Sequence, residues 1–257
     1  MPNLVVIAGP NGAGKSTSAP LLIGKRLGIA EFVNADVIAA ELSPSDPGAA
    51  AIRAGRLMLK RLDALAAAGA DFAFETTLAS RHFAVWIAKL QRERSYCFHL
   101  VYLWLPDVEQ NILRVAGRVR HGGHDVPPEV IRRRYATGLT NFLGLYRPIA
   151  NSWALYDNST EAKLVAKREL DGSEEIHDAE AWAMIEKQSK AREQERAYKA
   201  ASKPGGIMGV PIDEVTAALR EAGRDAWRRH KALGFPIVIM RDGKVVEVPP
   251  EEIEIVP

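Results

Sequence analysis

The feature that most limits what this chain can become is the octapeptide GPNGAGKS, Gly9 to Ser16, set directly after the apolar run LVVIA. It fits G-x-x-x-x-G-K-[ST] without a gap, a pattern that makes a phosphate-cradling loop between a strand and a helix. Gly9, Gly12 and Gly14 permit positive φ, so successive backbone N–H groups can converge on phosphate oxygens. Lys15 reaches the β/γ-phosphates, the Ser16 hydroxyl ligates Mg²⁺, and the helix N-terminus adds partial positive charge. A chance Gly-rich turn has no reason to sit between an apolar strand and a helix. Gly9, Pro10, Asn11, Gly12, Ala13, Gly14, Lys15, Ser16 and Thr17 are therefore read as a binding loop for ATP with Mg²⁺.

The rest of the chain follows the same strand–helix rhythm. EFVNAD reads as a second strand, ADFAFE as a third, CFHLVYLWLP as a fourth and SWALYDNS as a fifth. A helix is predicted from Lys15, disturbed in its second turn by Pro20. Another is predicted from about Ala49 to Ala68, with Ile52, Leu57, Leu59, Leu62 and Leu65 at helical spacing and a stop at Gly69. The expected architecture is an α/β parallel sheet with helices on both faces. Beyond Asn158, AKLVAKRELDGSEEI reads as a strand pair or edge strands around Asp171-Gly172. A charged helix from about Glu180 to Ala201 and a Gly/Pro linker, SKPGGIMGVP, follow. A helix and a hairpin across Asp242-Gly243 then make a second unit. The expected organisation is a main domain over 1–180, the charged helix and linker over 181–211, and a small helix–hairpin unit over 212–257.

Composition removes whole classes. The chain has 257 residues, 47% apolar and 26% charged, at globular averages. No apolar run approaches the ~20 residues of a membrane span, and the N-terminus has no basic leader region. The single Cys97 excludes an intramolecular disulfide framework. The expectation is a soluble, cytoplasmic protein. Net charge is +2, from 34 basic and 32 acidic residues, too balanced for general affinity to nucleic acid or membrane. Its distribution is uneven: Arg114, Arg118, Arg120, Arg132, Arg133, Arg134 and Arg147 stand against Asp125 and Glu129, seven minus two giving a +5 block. That block reads as a local anion-handling surface.

Asp36 should lie at the C-terminal edge of the second strand, where open α/β sheets bind ligands. It is either a base accepting a hydroxyl proton during phosphoryl transfer or the N-cap of the short helix VIAAEL, and the two roles are compatible. Glu75 closes the third strand, placed to meet Mg²⁺, to hold a substrate hydroxyl, or to act structurally. Thr76 and Thr77 are hydroxyl donors or turn residues. Arg118 and Arg120, beside Gly122-Gly123, form a mobile lid or a solvated basic face. Helix geometry lets one or two of Arg132, Arg133 and Arg134 face a site together. His121 and His124 lack partner ligands for a metal. Trp86, Trp104, Trp153 and Cys97 are read as core.

GPNGAGKST, NAD, ETTLAS, RVRHGGHDVP with RRRY, and WALYDNS, in this order over roughly residues 1–180, resemble the zeta-toxin-like P-loop kinase family. More closely they resemble its branch of small bacterial ATPases or UDP-N-acetylglucosamine kinases. The resemblance implies a P-loop kinase-like fold with an Arg-rich lid, and phosphorylation of the 3′-hydroxyl of UDP-N-acetylglucosamine by ATP. It also implies restraint by a small antitoxin. By position, Lys15 and Ser16 hold ATP and Mg²⁺, with Glu75 beside the metal, and Asp36 is the general base. Glu75 and Thr77 contact the substrate. Arg118, with Arg120 or one of 132–134, grips the γ-phosphate. One position departs. The family places a substrate-binding arginine shortly after the Glu-x-Thr element, where this chain has Ala79; Arg81, two residues away, is read as its substitute at the substrate.

The C-terminal unit resembles short stand-alone bacterial reading frames, and is expected either to restrain the kinase in cis or to stabilise it. The competing functions are a kinase for another hydroxyl, on a metabolite, nucleoside or nucleic-acid end, and a regulatory ATPase module. Transporter-type ATPases need an LSGGQ-like signature and an apolar strand ending in Asp-Glu. Neither occurs in the sequence.

Overall fold

A computed structural model describes residues 1–43, 47–120, 123, 125–201, 212–241 and 244–254. The described chain divides into two units, Met1–Glu195 and Arg196–Pro257. The first is built on a seven-stranded sheet of order β2-β3-β1-β4-β5-β6-β7. Its strands are β1 (Asn3–Ala8), β2 (Glu31–Val33), β3 (Phe72–Thr76), β4 (Cys97–Trp104), β5 (Ser152–Asp157), β6 (Lys163–Arg168) and β7 (Glu174–Ile176). β1 lies between β3 and β4 with Ile7 beside Glu75 and Val101, so the loop leaving β1 and the end of β3 emerge side by side.

The first five strands are parallel, as the strand–helix alternation requires. The last two are not. Only a short loop joins β5 to β6, too short for a crossover, so β6 pairs antiparallel to β5 and β7 antiparallel to β6. The strand pair around Asp171-Gly172 thus extends the same sheet.

Helices cover both faces. One face buries Leu4, Val6, Phe72, Phe74, Phe98, Leu100 and Tyr102 in the main core, together with Trp104 and Trp153. α3 (Pro47–Ala67), α4 (His82–Arg94), α6 (Pro128–Asn141) and α7 (Ala179–Ala201) pack there. The other face buries Val5, Ile7 and Ala73 under Ala19, Ile23 and Ile29. Those residues belong to α1 (Lys15–Pro20) and the π-helical segment Leu21–Leu27 with its exit loop. The change of helix type follows from Pro20, which has no N–H for the i→i−4 ladder.

α3 differs from its predicted pattern in which side chains it buries. Its covered stripe is Ala50, Ala54, Met58, Leu62 and Ala66, an i, i+4 series, while Ile52, Leu57 and Leu59 face outward. Small residues let α2 (Ala35–Leu42) approach closely, and Ala39 packs against Ala50 and Ala54. Trp104 and Trp153 are core residues as expected. Trp86 is half-buried, with its indole N–H donating to Asp63.

The second unit holds α8 (Ile212–Leu233) and a hairpin of β8 (Ile237–Arg241) and β9 (Lys244–Val248) around Ile237, Val248 and Ile253. The Asp242-Gly243 turn, the linker over 202–211, and His121, Gly122 and His124 of the lid motif lie outside the described residues. Among the described residues no helix is long and apolar enough to cross a membrane.

Candidate active site

The phosphate-binding loop runs from β1 into α1 with Gly9, Gly12 and Gly14 all at positive φ. All three positions are closed to a side chain, and at Gly9 a Cβ would collide with the Leu103 carbonyl oxygen. A Cβ at Gly12 would fall 2.5 Å from the Asn111 carbonyl oxygen, and one at Gly14 would fall 2.5 Å from the Asn158 amide nitrogen. Lys15 is buried, and its ammonium donates to Pro10 O at 3.0 Å inside the loop. Burial pulls its pKa below the ordinary lysine value, while Glu75 and Asp36 oppose that shift.

Glu75 is the hub of the site. Ser16 Oγ donates to its carboxylate at 2.9 Å, Asn34 Nδ2 at 2.8 Å, and Lys15 Nζ lies 3.6 Å away. Asn34 serves two elements at once. Its Oδ1 accepts from the backbone N–H of Asp36 (2.7 Å), which caps α2. The capping duty considered for Asp36 therefore falls to Asn34, two residues earlier. Asp36 stands in the first turn of α2, where the helix dipole favours an acid, with its side chain exposed to the site.

α5 (Val108–Arg120), α6 and the loop after β5 are tied to the phosphate loop from outside. Asn111 Nδ2 donates to Asn11 O (2.8 Å), and Asn158 Nδ2 to Ala13 O (2.8 Å). Arg114 donates to Asn158 O (3.0 Å) and Ser159 O (2.7 Å). Arg134 Nη1 donates to Asn11 Oδ1 at 3.1 Å. Of the three adjacent arginines, Arg132 pairs with Glu109 at the surface, Arg133 is exposed, and Arg134 turns inward. Burial lowers the Arg134 pKa, and the Asp36 charge opposes that shift.

Two cavities meet at this hub. One, of about 490 Å³, is lined by the phosphate loop with Arg114, Arg118, Asn158 and Thr160. The other, of about 470 Å³, is lined by Asn34, Arg56, Thr77, His82, Phe83 and Arg134 among others. Asn11, Lys15, Asp36 and Glu75 line both. Arg118 reaches the first and Thr77 the second, whereas Arg120 and Arg81 line neither. Thr76 and Thr77 hydroxyls also accept from Leu78 N and Ala79 N, so they shape the turn as well. Sequence reasoning missed Asn34, Asn111, Arg114, Asn158 and Arg56. Asn34 and Asn158 stand inside motifs already singled out and Arg114 inside the arginine block, but nothing local marks Asn111 or Arg56. A third cleft, under β4–β6 and lined by His99, Ser152 and Tyr156, shares no residue with these two.

For Mg²⁺ the fit is chemical. Ser16 Oγ and the Glu75 carboxylate are hard oxygen donors placed side by side next to the phosphate loop, as that ion requires.

A family model described as an AAA domain matches residues 4–137, more than half of the chain, and the chain belongs to that family. An uncharacterized protein of Haemophilus influenzae is 29% identical over 131 residues, 51% of this chain and 91% of that protein. Among solved structures, the AvrRxo1-ORF1:AvrRxo1-ORF2 complex with ATP superposes with a TM-score of 0.59 at 20% identity. The superposition covers 72% of this chain and 63% of that one, so this chain spans less than two thirds of the longer relative. The PezAT chromosomal toxin–antitoxin system of Streptococcus pneumoniae superposes with a TM-score of 0.50 at 16% identity, covering 76% of this chain and 87% of that one. These likenesses are of fold: the sheet and its helices have the P-loop kinase-like architecture expected from the motifs.

Proposed function

We propose that this member of the AAA domain family transfers the γ-phosphoryl group of ATP to a hydroxyl of a small molecule. The observation that carries the proposal is the meeting of two cavities at Lys15, Asp36 and Glu75, one lined by the phosphate loop and one not. A hydrolase needs room for water, whereas a second cavity of about 470 Å³ suits an acceptor of metabolite size. In the reaction an acceptor oxygen attacks the γ-phosphorus, the β,γ-bridging P–O bond breaks, ADP leaves, and the hydroxyl proton goes to an Asp36 carboxylate oxygen. Lys15 and Arg134 oppose the charge that spreads over the equatorial oxygens, and Arg118 reaches the nucleotide side. Ser16 and Glu75 would hold Mg²⁺, which when bound neutralises β- and γ-phosphate charge.

The acceptor proposed first is UDP-N-acetylglucosamine at its 3′-hydroxyl, on the resemblance of ETTLAS, NAD and the arginine motif to zeta-toxin-like kinases. A second reading, another hydroxyl compound, is favoured by Ala79 where that family has an arginine and by the absence of Arg81 from the cavity wall. The test is mass spectrometry of ATP, Mg²⁺ and a panel of UDP-sugars, nucleosides and oligonucleotides, comparing the natural chain with Asp36→Ala. A phosphorylated UDP-sugar made only by the natural chain supports the first acceptor. ATP binding without any product, whatever the acceptor, leaves a regulatory ATPase.

PezAT and the AvrRxo1 pair are complexes with a companion protein, and we propose that this chain is likewise restrained, by an antitoxin in trans or by its own residues 212–257 in cis. Growth of cells expressing a chain cut after residue 203 decides between them. Toxicity on deletion supports restraint in cis, and an unchanged phenotype with a folded kinase unit removes it.

A further inference from the structure

The acceptor-side cavity is not neutral, and its charges do not cancel. Its acids are Asp36 and Glu75, and its permanent cations are Lys15, Arg134 and Arg56. Lys15 pairs with Glu75 at 3.6 Å. Arg134 donates to Asn11 Oδ1 and lines the cavity together with Asp36. Arg56 is the surplus cation, exposed and, among the described residues, without a hydrogen bond or ion pair. It projects from α3, where Ile52 and Leu59, four before and three after, share its helix face. Both line the same cavity and both are exposed, Ile52 at 77% and Leu59 at 37%. Gly55 lies between them, and nothing stands within 4 Å of where its Cβ would be. This wall of α3 therefore offers one guanidinium beside an uncovered apolar strip with a notch in it.

We infer that the acceptor carries an anionic group, phosphate or carboxylate, that Arg56 anchors while the apolar strip of α3 receives a flat or apolar part of the same molecule. The inference rests on the kinase reading for the word acceptor. The guanidinium fits either anion through paired N–H donors. Its place also answers the departure at Ala79. The cation comes from α3 and not from the turn after β3, since Arg56 lines the acceptor-side cavity while Arg81, at the start of α4, lines neither.

The test uses the whole chain loaded with Mg²⁺ and a non-hydrolysable ATP analogue, so that anions cannot enter the phosphate loop. Calorimetry then measures glucose against glucose 1-phosphate and glucuronate, and uridine against its 5′-monophosphate. At least tenfold tighter binding of a charged member over its neutral partner is expected, removed by Arg56→Ala, partly kept by Arg56→Lys and untouched by Arg81→Ala. The phosphate and carboxylate arms identify which anion is preferred. Equal or undetectable binding of charged and neutral members overturns the inference, and so does a preference that survives Arg56→Ala in a variant with an unchanged melting temperature. ADP release on the acceptor panel separates the two readings. Anion preference without ADP release in any mixture keeps the Arg56 subsite and sinks the kinase, whereas phosphorylation of neutral acceptors without anion preference does the reverse.

Discussion

Ser16 Oγ, in the first turn after the phosphate loop, donates at 2.9 Å to Glu75, the penultimate residue of β3. The contact spans 59 positions of sequence and exists because β3 runs parallel to β1 with Glu75 beside Ile7. In the proposed reaction both oxygens would hold the Mg²⁺ that joins the nucleotide to the protein. Glu75→Gln keeps the shape and an acceptor oxygen but removes the charge. The expected outcome is a raised Mg²⁺ requirement and ATP-dependent turnover lowered by about 10²-fold or more, on the scale of a lost charge-stabilising group. A Mg²⁺ titration of ADP release, with melting temperature as the control for folding, checks it.

In the proposed mechanism Asp36 and Asn34 divide catalysis from stability within three residues. Since Asn34 caps α2, Asp36→Asn leaves the cap in place. Melting temperature and ATP affinity should stay unchanged while turnover falls by about 10²–10⁴-fold, the range of a lost general base. Asn34→Ala should behave differently, costing about 1 kcal/mol for the cap and also taking a 2.8 Å donor from Glu75. Denaturant melts of both variants beside their turnover distinguish the two effects.

How far the sequence could be read depended on whether the determinant was local. The phosphate loop and the five parallel strands were legible because each is specified by neighbours along the chain; Asp36 was singled out at the edge of the second strand, which ends earlier, at Val33, and leaves Asp36 in the first turn of α2. The two antiparallel strands were legible as strands but not in their sheet, because the length of the β5–β6 connection, and not any residue, decides the pairing. Asn34 hid inside NAD beside a more eye-catching acid. Its role depends on Glu75, 41 residues away. Arg56 was invisible because the predicted α3 face was drawn through large residues, while the helix buries alanines and turns Ile52 and Leu59 to the cavity. Arg134 was named only within a cluster of three, and the phase of α6 against Asn11 selects it.

Gly12 tests the fit between the phosphate loop and α5. At φ +82° with a virtual Cβ 2.5 Å from Asn111 O, alanine there is strained by its own backbone and also collides with another main chain. Gly12→Ala should destabilise the protein by roughly 1–3 kcal/mol and weaken ATP binding beyond what the stability loss explains, because displaced N–H groups no longer converge. Calorimetric ATP titration well below the variant's melting temperature provides the measurement.

His99 supplies a pH dependence distant from catalysis. Its Nδ1 lies 2.7 Å from Ser152 Oγ and its Nε2 3.2 Å from Asn3 Oδ1. The neutral ring satisfies both contacts, donating from Nε2 and accepting at Nδ1. Burial lowers its pKa below the ordinary 6.5, so the unfolded chain binds this proton more readily than the folded one. Stability is intact above 6.5 and is lost as pH falls from there towards the lower folded pKa. His99→Gln should flatten that decline between pH 7 and 5, read as melting temperature against pH. An unchanged slope assigns the decline to other groups.

Arg134 and Arg120 lie in the same basic block but should differ in what they do. Arg134 reaches Asn11 Oδ1 at 3.1 Å and lines the acceptor-side cavity beside Asp36, whereas Arg120 lines neither cavity. In the proposed reaction a guanidinium held there meets the phosphoryl charge only as that group moves between the cavities, so its loss should appear in kcat more than in the KM for ATP. Arginine contacts of this kind contribute about 10³–10⁵ in known phosphoryl transfers; with Lys15 and Arg118 still present, Arg134→Ala should lower kcat by about 10²–10³-fold. Arg134→Lys should recover only part of that, because an ammonium cannot hold Asn11 and a phosphoryl oxygen with the same fork. Arg120→Ala should stay within about twofold of the natural chain, as expected for an exposed charge. Steady-state ADP release with each variant decides the matter, and equal losses at 134 and 120 would return the block to a general electrostatic role.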